Sequence, residues 1–134
     1  MRERVILDLC GGTGAWSRPY AESGYDVRVV TLPEQDVRTY QSPAQVHGIL
    51  AAPPCDQFSI VRNHTLSRNL KGALEIVNAC LRIIETCDKT WWALENPVGK
   101  LSDYLGTARA SFQPWQYGDP WVKHTQLWGQ FTMP

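Results

Sequence analysis

The first thirty-one residues commit this chain to a parallel sheet. Arg4-Val5-Ile6-Leu7-Asp8-Leu9 is a short apolar run with the character of a buried strand. Cys10-Gly11-Gly12-Thr13-Gly14 follows it as a glycine loop. The pattern then turns helical from Ala15 to about Ser23, with Gly24 placed as a C-cap. Tyr25 to Thr31 reads as a second strand, because Val27, Val29 and Val30 are β-branched. Strand, glycine loop, helix and strand make a βαβ unit, whose two strands run parallel.

The same alternation continues. Val46 to Ala51 is another apolar run, and Pro53-Pro54 must end it at Ala52, since proline lacks the N–H a ladder needs. Asp56 to Ser67 reads as a polar loop. Leu70, Leu74, Val77, Leu81 and Ile84 recur at three- and four-residue steps, with Ala73, Cys80 and Cys87 on or near that face. This predicts an amphipathic helix near Asn69 to Cys87. Trp91-Trp92-Ala93-Leu94-Glu95 is a further strand, expected to stop at Asn96-Pro97. Leu101 to Leu105 suits one or two helical turns, and Phe112 to Trp128 suits one or two antiparallel edge strands. The expectation is a single α/β domain over residues 1–134, doubly wound, with a mostly parallel sheet and helices on both faces.

Composition excludes several classes. With 43% hydrophobic residues the chain of 134 has the composition of one globular core. Lys plus Arg equals Asp plus Glu, at 13 each, so no global field draws it to a polyanion. No apolar run approaches the roughly 20 residues of a membrane span. Asp8 follows the N-terminus too closely for a signal peptide, so a cytoplasmic location is expected. The four cysteines, Cys10, Cys55, Cys80 and Cys87, form no CxxC pair, so reduced thiols and no metal site are expected.

Three short stretches carry chemistry. Glycines between a strand and a helix let backbone approach a ligand closely, beside the free N–H groups of the helix end. The loop lacks the full G-x-G-x-x-G spacing of a dinucleotide site, and a tight turn without ligand is its bland alternative. A side-chain branch at Gly12 is expected to crowd this loop. Cys55 sits on a proline corner at the C-terminal end of a strand, the edge where open α/β sheets hold ligands. Most lone cysteines are inert core fillers. A reactive one needs local help, because a free thiol of pKa about 8.5 is only a few per cent thiolate at neutral pH. Glu95 ends its strand among apolar neighbours, which suits a poorly hydrated acid able to protonate or hydrogen-bond a ring nitrogen. Two strands ending in proline corners, one with a thiol and one with a carboxyl, form a much rarer coincidence than either alone.

Asp8-Leu9-Cys10-Gly11-Gly12-Thr13-Gly14, Pro53-Pro54-Cys55-Asp56-Gln57-Phe58-Ser59 and Glu95-Asn96-Pro97 together resemble the ordered motifs of DNA cytosine-5 methyltransferases. The resemblance spans residues 1 to about 100 and implies a Rossmann-like S-adenosylmethionine-dependent methyltransferase fold. It implies S-adenosyl-L-methionine as cofactor, held by Asp8, Leu9, Cys10, Gly11, Gly12, Gly14, Asp36, Val37 and Pro53. It implies Cys55 as nucleophile and Glu95 as the acid that recognises cytosine, with Ser59, Arg62, Asn96 and Lys123 touching the substrate. The implied partner is cytosine-containing DNA, in a bacterial or phage-infected cell.

The chain also departs from that family. Its second strand ends Thr31-Leu32-Pro33, where the family has an acid for the cofactor ribose, and Glu34 is only a candidate replacement. Asp56 interrupts the usual Pro-Cys-Gln order. Tyr117 to Thr125 stands where the family has a Gln-x-Arg-x-Arg segment, with Lys123 as its cationic stand-in and His124 beside it. No stretch reads as a target-recognition domain or as the family's C-terminal helix. A minimal phage-like form, a fragment, or a pocket completed by a second chain or a homodimer would each account for this. Arg62, His64, Arg68 and Lys71 are the local cations available to phosphates, and Trp121 and Trp128 are rings available for stacking.

Other chemistries fit less well. A zinc nucleobase deaminase needs H-x-E and Pro-Cys-x-x-Cys, and the residue three after Cys55 is Phe58. Amino-methyltransferases carry an aromatic residue after the paired prolines, where this chain has Cys55. The surviving alternatives are the same chemistry on single-stranded or free cytosine nucleotide, and a catalytically silent module that binds cofactor or nucleic acid with a partner.

Overall fold

The computed structural model of the chain describes residues 4–53, 70–97, 110–112 and 125–130. In chain order its elements are β1 (Val5–Leu9), α1 (Arg18–Glu22), β2 (Asp26–Val30), β3 (Gly48–Ala51), α2 (Leu70–Thr86), β4 (Trp91–Pro97), β5 (Ala110–Phe112) and β6 (Thr125–Gln130). Among the described residues the six strands form one sheet, ordered β2-β1-β3-β4-β6-β5. The pairs β1–β2, β1–β3 and β3–β4 are parallel, whereas β6 runs antiparallel to both β4 and β5. The chain starts mid-sheet, steps outward to β2, then crosses back to β3. Strand order therefore reverses at β1, and the crevice outside such a switch point is where these sheets hold ligands.

Two apolar layers sandwich the sheet. Leu7, Leu9, Ile49, Ala51 and Leu94 join Val77, Cys80, Ile83 and Ile84 of α2 in the larger core. Each Leu or Ile removed from water there stabilises by about 1.5–3 kcal/mol. Glu75, Asn78, Arg82 and Glu85 stay exposed on the opposite side of α2, so the predicted period and bounds hold to within one residue at each end. Ile6, Leu50 and Ala93 face the other layer, under Trp16, Tyr20, Tyr25, Val27 and Trp91. No helix of the described residues is long and apolar enough to cross a membrane.

Two elements differ from expectation. The first helix covers Arg18–Glu22 and not Ala15 to Ser23. Its N-cap, Ser17, makes no side-chain cap bond, because its hydroxyl is turned to Asp8; Pro19 occupies the first turn. At the other end Gly24 adopts φ 95° and its N–H reaches Ala21 O at 3.1 Å, as a C-terminal glycine should. The strand β4 runs through Pro97 and does not stop before it. Its pairing with β3 ends at Leu94, but β6 continues beside it to Thr125 opposite Pro97. A proline is tolerated there because the strand end has lost one neighbour and needs no donor on that side.

Gly48 shows how the aromatic layer is built. A Cβ at this position would overlap the Trp91 indole, which lies across the β3 backbone. Trp91 is itself flanked by Tyr20 at 5.5 Å and His47 at 6.1 Å between ring centroids. Gly48→Ala is therefore expected to lose about 2 kcal/mol of stability in urea denaturation. Adding Trp91→Leu should cancel part of that loss, since the two residues share one space. Strictly additive losses would show that the clash is not the cause.

Candidate functional site

The glycine loop leaves β1 through an unusual bend. Cys10 takes φ 60°, left-handed for a residue with a Cβ, and Gly12 and Gly14 follow at 58° and 79°. The bend is anchored by Cys10 N–H to Val30 O at 2.7 Å and closed by Gly14 N–H to Gly11 O at 2.9 Å. The glycines serve different needs. A Cβ on Gly11 would run into the Asp8 carboxylate, while one on Gly12 would meet nothing within 4 Å. The crowding expected at Gly12 thus belongs to Gly11, and Gly12 is required for its left-handed φ.

Asp8 lies beneath this loop, with 0% of its surface exposed. Ser17 Oγ donates to its Oδ2 at 2.6 Å, and Oδ1 has no hydrogen-bond partner among the described residues. Burial pushes the carboxyl above its ordinary range, and the Ser17 hydrogen bond only partly offsets this. A carboxyl raised on folding stabilises the chain below its unfolded pKa, and that contribution is lost as pH rises through the folded value. Asp8→Asn is therefore expected to raise the melting temperature at pH 7 by a few degrees. The gain should disappear below the ordinary carboxylate range, where both side chains are neutral. Melting curves at the two pH values check this; a loss of stability at pH 7 would show that the ionised form is held favourably.

Beside the loop, a pocket of about 200 Å³ opens outside the ends of β1 and β2. Cys10, Gly12, Val30, Thr31, Leu32, Gln35, Asp36, Val37, Arg38 and Ile76 line it. Val30 and Val37 belong to the buried core, whereas Leu32 is 61% exposed at the rim. Cys10 also meets Cys80 of α2; their hydrogen bond pulls the Cys10 thiol below its usual range, and the same bond together with burial pushes the Cys80 thiol up. At the rim, Asp36 accepts from Arg38 Nη2 at 2.7 Å and from Arg38 Nε and N–H. These bonds hold the Asp36 carboxyl below the usual carboxylate range. A second, polar hollow of about 380 Å³ adjoins it, lined by Glu34, Gln35, Asp36, Thr39, Tyr40 and Gln41.

The switch point brings three strand ends together. Leu9 lies opposite Ala51, and Ala51 opposite Leu94. Ala52 N–H still bonds Leu9 O at 3.0 Å, after which Pro53 is buried. Glu95 is half-buried and lies one residue beyond Leu94, opposite Leu127 of β6. Neighbouring strands stand about 4.8 Å apart, so the glycine loop, Pro53 and Glu95 rise from adjacent positions on one edge. Asn96 follows in β4, opposite Gln126. Cys55, Ser59, Arg62 and Lys123 lie outside the described residues, as do His64, Arg68, Trp121 and His124.

Among the residues expected to hold a cofactor, Cys10, Gly12, Asp36 and Val37 line the pocket, and Asp8 and Gly11 form its support. Leu9 points its side chain into the core, so only its backbone can face a ligand. Ser17, Leu32, Gln35, Arg38 and Ile76 are additions. Only Arg38 had a local signal, an Asp–x–Arg pair in which Asp36 Oδ1 accepts the Arg38 N–H at 2.9 Å.

No family model matches the chain, and no curated protein matches it in sequence. Solved structures do match its fold. One is the Burkholderia thailandensis 1,6-didemethyltoxoflavin-N1-methyltransferase, with bound 1,6-didemethyltoxoflavin and S-adenosylhomocysteine. It is 12% identical at a TM-score of 0.59, over 98% of this chain and 72% of that one. The Pyrococcus horikoshii PH0226 protein is 10% identical at a TM-score of 0.54, over 97% of this chain and 83% of its own. The Entamoeba histolytica methyltransferase EhMeth is 9% identical at a TM-score of 0.52, over 99% of this chain and 54% of its own. The chain has a Rossmann-like methyltransferase fold.

Proposed function

We propose that the chain is an S-adenosylmethionine-dependent methyltransferase acting on C5 of cytosine in DNA through a covalent Cys55 intermediate. The observation that carries this reading is the adjacency of three strand ends: the glycine loop after β1, Pro53 two residues before Cys55, and Glu95 in β4. The fold agrees with it, and one solved structure of that fold carries S-adenosylhomocysteine.

The pocket fits the cofactor on its own evidence. Its walls include the apolar side chains of Val30, Leu32, Val37 and Ile76, with a carboxylate acceptor on the rim at Asp36. That combination suits a flat heteroaromatic ring bearing an amino group. The left-handed glycine backbone allows close approach of the amino-acid portion, above the buried Asp8. When bound, the cofactor supplies an electrophilic methyl group.

The chain's residues would do the rest. The Cys55 thiolate adds to C6 of the pyrimidine, forming a C–S bond and breaking the C5–C6 double bond. Glu95 hydrogen-bonds or protonates N3, relieving the charge that the addition places on the ring. C5 is then nucleophilic enough to accept a methyl group. Loss of the C5 proton to a base and expulsion of Cys55 restore the ring. One hard substitution is split into easier steps. A base in a duplex would have to leave the stack to reach this edge.

The test is transfer of labelled methyl from cofactor to duplex, single-stranded and mononucleotide cytosine. Label on C5 of polymeric cytosine supports the reading. Transfer to free nucleotide alone moves the substrate to a small molecule. Cofactor binding without transfer to any cytosine overturns the enzyme in favour of a silent binding module.

A further inference from the structure

We infer that Cys10 and Cys80 form a peroxide-sensitive dithiol: a small hydroperoxide entering the pocket is reduced at Cys10, and Cys80 resolves the product as a disulfide that ties the glycine loop to α2. This modification site is distinct from Cys55. It does not depend on what the pocket binds or on methyl transfer.

Cys10 stands between the pocket and the core. Its half-buried side chain lines the pocket and also packs against the larger apolar cluster. Cys80, 0% exposed, belongs to that cluster and is hydrogen-bonded to Cys10. It follows the pocket-lining Ile76 by four residues, so the two lie one turn apart on one face of α2. The left-handed φ of 60° at Cys10 and its N–H bond to Val30 O at 2.7 Å fix the backbone that carries the thiol. Contact between the two sulfurs is the starting geometry that a disulfide of roughly 2.05 Å requires. Cys87, the other described thiol, donates instead to Pro43 O at 3.1 Å, just beyond the end of α2.

The two thiols are unequal, and this assigns their roles. Among the described residues Cys10 is the only thiol on the pocket wall. The bond to Cys80 draws its thiol below the usual range, while that bond and burial push the Cys80 thiol up. An accessible thiol of lowered pKa beside a second thiol is the arrangement that peroxide chemistry uses. The charges of Asp36 and Asp8 oppose ionisation of Cys10, so a small neutral oxidant suits the site better than an anionic one. The Cys10 thiolate attacks one peroxide oxygen; an S–O bond forms, the O–O bond breaks, and the departing hydroxide takes up the thiol's proton as water. Cys80 then attacks the sulfenic sulfur, losing its own proton as the S–S bond forms and a second water leaves. Two thiols give up two electrons and two protons, and one hydrogen peroxide becomes two waters.

The experiment treats the full chain with hydrogen peroxide and maps its protease fragments by mass. The wild type is expected to yield a linked Cys10–Cys80 fragment, about 2 Da lighter than the two reduced fragments together, which dithiothreitol separates. In Cys80→Ala the sulfenic acid has no thiol to meet, so the Cys10 fragment should take up dimedone. In Cys10→Ala no dimedone should reach the Cys80 fragment. The linked residues stand 70 positions apart, so the bond should raise the melting temperature by several degrees. The wild-type fragment map decides the inference even where a variant is too unstable to purify. Cys10 driven to sulfinic acid in the wild type with Cys80 still reduced overturns it. So does a link from Cys10 to Cys55 or Cys87, an unoxidised Cys10, or a cross-link that lowers the melting temperature. The labelled-methyl assay is read separately, so failure here leaves the methyltransferase reading standing.

Discussion

Replacing Cys55 with serine is expected to reduce methyl transfer by about four orders of magnitude or more, the scale on which removal of a nucleophile acts. A serine hydroxyl titrates far above a thiol, so almost none is ionised at neutral pH, and oxygen adds to a pyrimidine C6 less readily than sulfur. The variant should bind cofactor almost as the wild type does. Among the described residues the pocket is lined by the loop after β1, the turn around Asp36 and Ile76 of α2, and these can hold a cofactor without the thiol. A sharper readout uses DNA carrying 5-fluorocytosine. Fluorine at C5 cannot leave as a proton, so the final elimination is blocked and the C–S bond persists. Intact-mass measurement should find that adduct with the wild type and none with Cys55→Ser. An adduct that survives the substitution would place the nucleophile elsewhere. A collapse of cofactor affinity would make Cys55 structural.

Gly129→Ala is expected to be the most damaging single methyl group among the described glycines. Gly129 stands opposite Ala93 where β6 runs antiparallel to β4. Its φ is 143°, and an added Cβ would overlap the Trp92 carbonyl oxygen and lie 2.9 Å from Trp92 C and 3.0 Å from Ala93 Cα. These are backbone atoms of a central strand, which cannot swing aside as a side-chain end could. Overpacking of this kind costs about 1–3 kcal/mol and an unfavourable φ a similar amount. The expected loss is therefore about 3 kcal/mol or more, against a total stability of about 5–15 kcal/mol for a domain. The damage would extend to the site, because β6 carries buried Leu127 and Trp128 and holds Leu127 opposite Glu95. Urea denaturation followed by tryptophan fluorescence checks this. A loss below about 1 kcal/mol would mean that β6 can shift away from β4.

Trp128, one of the rings offered for base stacking, is 5% exposed within the larger core. Its burial in that core accounts for it more simply than a nucleic-acid contact. The exposed Asp26–Arg28 pair, at 3.0 Å on β2, has a comparable bearing on partners. Charges of both signs on an outer strand disfavour pairing with another chain along that edge.

Much of the fold was legible before any coordinates, because it depends on local rules. The three- and four-residue steps from Leu70 to Ile84 predicted α2, the β-branched Val27, Val29 and Val30 predicted β2, and Pro53-Pro54 ended β3. Glycine and proline act through their own φ and their own N–H, so their effects appear at the residue itself. Tertiary structure decided the features that join distant residues. Helix α1 begins at Arg18 with Ser17 as its N-cap, and the Ser17 hydroxyl is given to Asp8, nine residues away, and not to the helix end. Strand β4 runs on to Pro97, past the end of β3, because β6, 28 residues further on, pairs with it as far as Thr125. Gly48 and Gly11 must be glycine because Trp91 and Asp8 fill the space a Cβ would need. The sequence alone determined which segments become strands, turns and helices, and which residue types stand at their ends. Only the strand order and register decided that the ends of β1, β3 and β4 share one edge, because hydrophobic period specifies which face is buried and not which strands are neighbours.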